Sequence, residues 1–143
     1  MPGTESFGKA FENFIFHELS TYNSYSDKFS EISYWRLSTS TEVDFIIDDM
    51  AVAIEAKASS SVNQKHYKGL VELAKDYPEV GRRIIVCLEA IKRETKHGIE
   101  IYPWKTFCEE LWAGNIFYKK WIPPLAGKLP HKKLQNKCFL EVN

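Results

Sequence analysis

The sequence predicts a mixed α/β domain, a β-sheet with helices on both faces. Three observations carry this. Phe7, Phe11, Phe14, Ile15 and Leu19 recur at helical spacing. Two short Val/Ile/Phe-rich segments, Glu42 to Ile47 and Val52 to Lys57, flank a polar break at Asp48-Asp49, as a hairpin does. Arg83-Ile84-Ile85-Val86-Cys87-Leu88 is a continuous apolar run of strand length, the mark of a sheet interior covered on both faces.

In chain order, residues about 5–20 should form the first helix, and the polar, tyrosine-rich Thr21 to Lys28 reads as a loop. Glu31 to Leu37 reads as a strand, stopped by Ser38-Thr39-Ser40-Thr41. The hairpin strands follow, then the loop Ala58-Ser59-Ser60-Ser61. Asn63 is a candidate cap for a helix running to about Tyr77, stopped by Pro78. Gly69 inside that helix marks a close neighbour or a kink. After the Ile84 strand, residues 89–98 read as a charged connection, and Ile99 to Tyr102 as a short strand. Pro103 starts a helix with Phe107, Leu111 and Trp112 that ends at Gly114. Trp104 and Trp112 are expected in the core. The order is αβββαββα. Residues 1–118 are read as the domain, and 119–143 as a basic extension. From Lys119 to Leu140 that extension has six lysines and no acid, and it is a candidate arm for nucleic-acid backbone.

The chain of 143 residues is long enough to bury roughly 68–70% of its unfolded surface, so a core needs no disulfide or metal. Lysine plus arginine and aspartate plus glutamate each number 19. Any affinity for nucleic acid must therefore come from local charge. Cys87, Cys108 and Cys138 form no Cys-x-x-Cys pair, which argues against a zinc site, and Cys87 reads as an inert core thiol. No apolar run approaches the ~20 residues that cross a bilayer, and Met1 to Glu5 does not open a signal peptide. A cytoplasmic protein with no membrane partner is expected.

The hairpin strands carry charges where a buried strand should be apolar, and such charges are costly unless paired or bound to a metal. A loop of Asp49-Met50, or of Asp48 to Ala51, puts Ile47 opposite Val52 and Asp44 opposite Glu55; a three-residue loop would shift the register. Opposed residues have Cβ atoms about 4.5–5.5 Å apart, so two carboxylates there repel and call for a cation. Alternation puts Lys57 on the Glu55 face and Ala56 on the other. Two carboxylates and a lysine on adjacent strands suit metal-assisted phosphodiester hydrolysis. Hard oxygen ligands select Mg²⁺ or Mn²⁺, with the carbonyl of Ala56 as a further ligand. Burial of Lys57 would lower its pKa and let it orient or deprotonate the attacking water.

Around this centre, Arg36 reads equally as a phosphate-binding group or as a partner for Glu31 or Glu42. His66 and Lys68, after the Ser loop, either reach substrate or lie on a solvated helix face. Glu12 and Glu18, by periodicity alone, are solvated helix carboxylates. The simplest rival to a metal site is a charged edge hairpin in which Lys57 neutralises Glu55.

The constellation of Asp44 with Glu55-Ala56-Lys57 resembles the PD-(D/E)XK nuclease superfamily. Its core is a helix, a three-stranded meander, a helix and a further strand, so the resemblance implies a restriction-endonuclease-like core (αβββαβ) with an extra strand and helix. Gly8-Lys9-Ala10-Phe11-Glu12 is similar to the G-x-x-x-E on the first helix of several branches and implies Glu12 as a third carboxylate. Gln64 stands where RecB-like branches place Q-x-x-x-Y, with lysine at 68 in place of tyrosine. Phe11-Glu12, Glu18-Leu19, Tyr34-Trp35-Arg36, Glu42 to Phe45, Ile54 to Lys57, Lys68-Gly69-Leu70 and Pro103-Trp104 look like the nuclease-like domain found behind AAA-type ATPases in bacteria and archaea. That likeness spans residues about 7–113.

What the resemblance implies is a Mg²⁺- or Mn²⁺-dependent nuclease, with DNA the expected substrate and catalytic residues Asp44, Glu55, Lys57 and Glu12. Asp44, Glu55 and Ala56 would hold the metal, and Arg36, Gln64, His66 and Lys68 the substrate. Partners are nucleic acid and an AAA-type ATPase, and a homodimer remains open. The alternative is a non-catalytic docking module on the same fold. No G-x-x-x-x-G-K-[ST] loop occurs, so the chain is not itself the ATPase, and there is neither H-E-x-x-H nor G-x-S-x-G.

Overall fold

The computed structural model describes residues 4–27, 29–38 and 41–117. The basic extension expected over 119–143, Cys138 included, lies outside the described residues. The elements in order are α1 (Glu5–Tyr25), β1 (Ile32–Ser38), β2 (Thr41–Ile47), β3 (Val52–Ala56), α2 (Lys68–Asp76), β4 (Arg82–Cys87), β5 (Arg93–Glu94), β6 (Glu100–Pro103) and α3 (Trp104–Trp112). Six strands form one sheet in the order β1-β2-β3-β4-β6-β5. β1, β2 and β3 make an antiparallel meander. β4 runs parallel to both β3 and β6, and β5 pairs antiparallel with β6 at the edge. The fold is the mixed α/β sheet expected, and α1-β1-β2-β3-α2-β4 follows the expected core order.

β4 explains the two-layered packing. Its side chains alternate, and both sets are buried. Ile84 and Val86 join Phe11, Ile15 and Leu19 of α1 and Phe107 and Leu111 of α3. Ile85 and Cys87 join Leu70 and Leu73 of α2. A central parallel strand with helices over both faces must be apolar on both sides. Cys87 is fully buried and free, and burial raises its pKa. Among the described residues no helix is long and apolar enough to cross a membrane.

Four local expectations are corrected by tertiary contacts. First, α1 continues through the expected loop to Tyr25. Tyr22 is buried, edge-on to the rings of Trp112 and Phe117, and this packing outweighs the weak helical preference of a Ser/Thr/Tyr stretch. The chain then turns back through left-handed Asp27 and Phe29, while Asn23 bonds the Ser30 backbone twice, at 2.8 Å each.

Second, α2 begins at Lys68, not at an Asn63 cap. Asn63 instead closes a turn: its Oδ1 accepts from Lys65 N at 3.0 Å and its own N–H donates to His66 Nδ1 at 3.0 Å. Third, β5 lies inside the expected charged connection. It has two exposed residues and so offers no apolar signal. Fourth, Trp112 is 40% exposed, donating from Nε1 to Glu18 Oε1 at 2.9 Å. Trp104 is half-buried against the core, edge-on to Phe14.

Gly69 does mark a close approach. A methyl group there would collide with the backbone carbonyl of Glu42, so only glycine lets α2 lie this close to β2.

Candidate active site

The β2–β3 register is the one that the hairpin predicts: Ile47 faces Val52, Ile46 faces Ala53 and Phe45 faces Ile54. Extending it by one residue sets Asp44 opposite Glu55. The loop is Asp48 to Ala51, made possible by left-handed Asp48 and Met50.

Two features free the Asp44 end of β2 from a regular ladder. On the β1 side the register advances two residues on β1 (Ser33 to Trp35) against three on β2 (Ile46 to Val43), so Asp44 and Phe45 form a bulge across from Tyr34. Bulges re-aim side chains and are frequent beside active sites. On the β3 side the ladder stops at Phe45–Ile54. One step further, the Ala56 N–H donates to Asp44 Oδ2 at 2.9 Å, so a side chain takes the position of the next rung.

Glu55 is 4% exposed in a strand buried along its whole length. Its Oε2 lies 3.0 Å from Lys57 Nζ. Its Oε1 is buried with no hydrogen-bond partner among the described residues. Such an orphaned oxygen is expensive unless something binds it.

Burial pushes Glu55 up to about 8, aided by the negative charge of Asp44 and opposed by Lys57. Burial likewise pushes Asp44 up to about 6; the Ala56 N–H and Lys57 pull it down, while Glu12 and Glu42 push it further up. For Lys57, burial acts downward as expected, but Glu55, Asp44 and Glu42 together outweigh it and its pKa is raised. The downward shift that burial alone would give Lys57 is thus reversed by the carboxylates around it. Two carboxylates share one counter-charge, and the leftover negative charge must take up either a proton or a cation.

Glu12, half-buried on α1, is near enough to act on Asp44 electrostatically. Glu18 is occupied by Trp112. Among the described residues no three Asp, Glu, His or Cys side chains form a ready-made metal cluster. Carboxylate oxygens, one of them orphaned, are hard donors of the kind that Mg²⁺ and Mn²⁺ take.

Arg36 pairs across the strands with Glu42 at 3.0 Å, both exposed, and its guanidinium lies 5.9 Å from the Tyr34 ring centroid. An exposed pair of this kind contributes little to stability. His66 is half-buried, and burial first, then the charges of Lys57 and Lys65, lower its pKa. It therefore lies within electrostatic reach of Lys57. Gln64 and Lys68 are exposed on the same segment.

Two roles escaped the sequence reading, which took Glu42 only as a partner for Arg36 and as part of a motif. Glu42 acts on both Asp44 and Lys57; its place two residues before Asp44 was the signal. Glu89 Oε2 accepts the Val62 N–H at 2.7 Å, and Arg93 bonds both Glu89 and the Val62 carbonyl, which pins the loop that follows Lys57. The spacing of Glu89 and Arg93 carried no such information.

No curated protein and no solved structure matches the chain. The sequence profile of a family described as a domain of unknown function, DUF4143, matches residues 7–107, a span that runs from α1 into α3 and includes Asp44, Glu55 and Lys57. The chain belongs to the DUF4143 family.

Proposed function

We propose that this chain is a metal-dependent nuclease that hydrolyses phosphodiester bonds, with DNA as the expected substrate and Mg²⁺ or Mn²⁺ as cofactor. The observation that supports it best is the desolvated pair Asp44–Glu55, one oxygen of which has no partner among the described residues, beside the Lys57 ammonium. Asp44, Glu55 and the carbonyl of Ala56 would hold the cation. When bound, it would polarise the phosphate and lower the pKa of a coordinated water.

The chain's own groups supply the rest. Lys57, kept protonated by its acidic neighbours, stabilises charge that develops on the phosphate and orients the attacking water. Glu12 and Glu42 deepen the negative potential at Asp44. His66 accepts the Asn63 N–H at Nδ1, so in its neutral form Nε2 carries the proton and is a donor for phosphate. Lys68, Gln64 and Arg36 extend the polar rim. The resemblance to PD-(D/E)XK nucleases, a cytoplasmic location and an AAA-type ATPase partner belong to this same reading.

A docking module is the second reading. It is favoured by the 3.0 Å Lys57–Glu55 contact, which already gives Glu55 a counter-charge. Incubation with linear, branched and single-stranded DNA and RNA in Mn²⁺ or EDTA tests the two. Cleavage that EDTA abolishes is expected. Intact nucleic acid under every condition would leave the docking reading.

A further inference from the structure

The C-terminal ends of α1 and α3 meet in a cluster of rings that is buried at its centre and exposed at its edge. Tyr22 is buried and stands edge-on to Trp112 at 5.4 Å and to Phe117 at 5.5 Å. Trp112 in turn lies 5.7 Å from Tyr25, with the two planes tilted by 57°. Tyr25 is 80% exposed and Trp112 40%, so this pair forms a notched aromatic surface facing solvent. Its surroundings are acidic. Glu18 accepts from Trp112 Nε1, Glu109 and Glu110 stand just before Trp112 on α3, and neither helix has a basic residue in its last turn.

The chain leaves this cluster at a fixed point. Arg82 Nη1 donates to the carbonyls of Asn115 at 2.6 Å and Ile116 at 3.2 Å, and Ile116 and Phe117 are buried. Phe117, where the described residues end, reaches Trp112 through the single ring of Tyr22. The sequence then continues Tyr118-Lys119-Lys120-Trp121-Ile122-Pro123-Pro124-Leu125. Pro123 is six residues on from Phe117, a reach of about 20 Å when extended. Each step from Phe117 through Tyr22 and Trp112 to Tyr25 is less than a third of that.

We propose that this surface is the docking site of the chain's own Trp121-Ile122-Pro123-Pro124-Leu125 segment, with the two prolines against the rings of Tyr25 and Trp112. Adjacent prolines have a fixed φ, and the residue before a proline is held extended. Such a segment loses little entropy on binding, which is why aromatic-lined grooves take proline-rich peptides. Charge agrees with this occupant. The six lysines from Lys119 to Leu140, with no acid among them, match the acids Glu18, Glu109 and Glu110 around the rings. A short tether gives a local concentration in the millimolar range, so a contact of only ~0.1 mM affinity keeps the segment about nine-tenths bound. The surface is separate from the carboxylate site. Arg82 faces Val52 at one end of β3, whereas Ala56 faces Val86 at the other, so the proposal does not depend on the nuclease reading.

The test is NMR of the full chain, with trypsin as a second readout. Ring currents should move the ring protons of Pro123 and Pro124 upfield of their random-coil positions, with cross-peaks to Tyr25 and Trp112. Tyr25→Ala, a change at an exposed position, should return them to random-coil positions, and Tyr25→Phe should keep them shifted. Trypsin should cut after Lys119 and Lys120 about tenfold faster in Tyr25→Ala than in wild type. The shifts should survive an about tenfold dilution, as an intramolecular contact does. Random-coil prolines in the wild-type chain overturn the proposal. So do shifts that Tyr25→Ala leaves in place. Shifts lost on dilution overturn it as well, because the segment would then come from a second copy.

Discussion

Asp44 Oδ2 accepts the Ala56 N–H at 2.9 Å, which ties the carboxylate of one strand to the residue between Glu55 and Lys57 on the next. A backbone donor cannot swing away, so this bond holds Asp44 near Glu55 in spite of their repulsion. It also lowers the Asp44 pKa against a larger effect of burial. The pair is a preorganised acidic centre whose cost is carried by the surrounding sheet.

Cation binding should depend on both carboxylates and on pH. Mn²⁺ titrated calorimetrically should show one site that Asp44→Asn and Glu55→Gln each abolish. Asp44 is pushed up to about 6 and Glu55 to about 8, so at neutral pH the cation displaces a proton. Affinity should rise as pH rises through that window, and the heat of binding should vary with the buffer's ionisation enthalpy. Unchanged binding in both variants would remove the metal site.

The same shifts set the stability of the metal-free protein. Both folded-state pKa values lie above the unfolded ones, so between those limits the native state holds protons that the unfolded chain has released. Their contribution is full below roughly pH 4, the ordinary carboxyl range. It is lost as pH rises through about 6 for Asp44 and about 8 for Glu55. Glu89 and Glu100, whose arginine partners lower their pKa values, work in the opposite sense and lose their contribution in acid. Metal-free Tm should therefore fall by on the order of a few degrees from about pH 5.5 to 8.5. Glu55→Gln should flatten the slope, and a slope that persists would contradict the assignment.

Lys57 separates nuclease from docking module. Lys57→Ala should leave Mn²⁺ affinity intact or tighten it, since a nearby positive charge is gone. Cleavage should drop by a factor on the order of 10² or more. If Lys57 is only a counter-charge, the variant melts earlier and any cutting is unaffected. Melting, titration and rate measured on one preparation decide the matter.

Gly69 links helix packing to the site. Gly69→Ala forces a methyl group against the Glu42 carbonyl, and such overpacking costs typically ~1–3 kcal/mol. Because Glu42 sits two residues before Asp44, β2 should shift and Mn²⁺ affinity should weaken as well. A variant destabilised in urea but binding Mn²⁺ like wild type would show that β2 absorbs the strain away from Asp44.

Much of the fold and the centre of the site could be read from the chain. Periodicity two put Glu55 and Lys57 on one face, and a hairpin of the right length set Asp44 against Glu55, because strand register follows from loop length and buried pattern. Ile84 to Cys87 announced a strand covered on both sides. These are local properties, legible wherever neighbours in sequence are neighbours in space.

The remainder depended on partners far along the chain. Tyr22 extends α1 because Trp112 and Phe117 come to meet it. The bulge at Asp44–Phe45 arises from pairing with β1. Lys57 illustrates the division best. Its position in E-x-K is written in the sequence, and burial alone would lower its pKa. Whether it is acid or base is decided by how many carboxylates the folded sheet gathers around it. Glu55, Asp44 and Glu42 outweigh burial, because electrostatic balance at a buried group is a sum over neighbours that only the tertiary structure assembles.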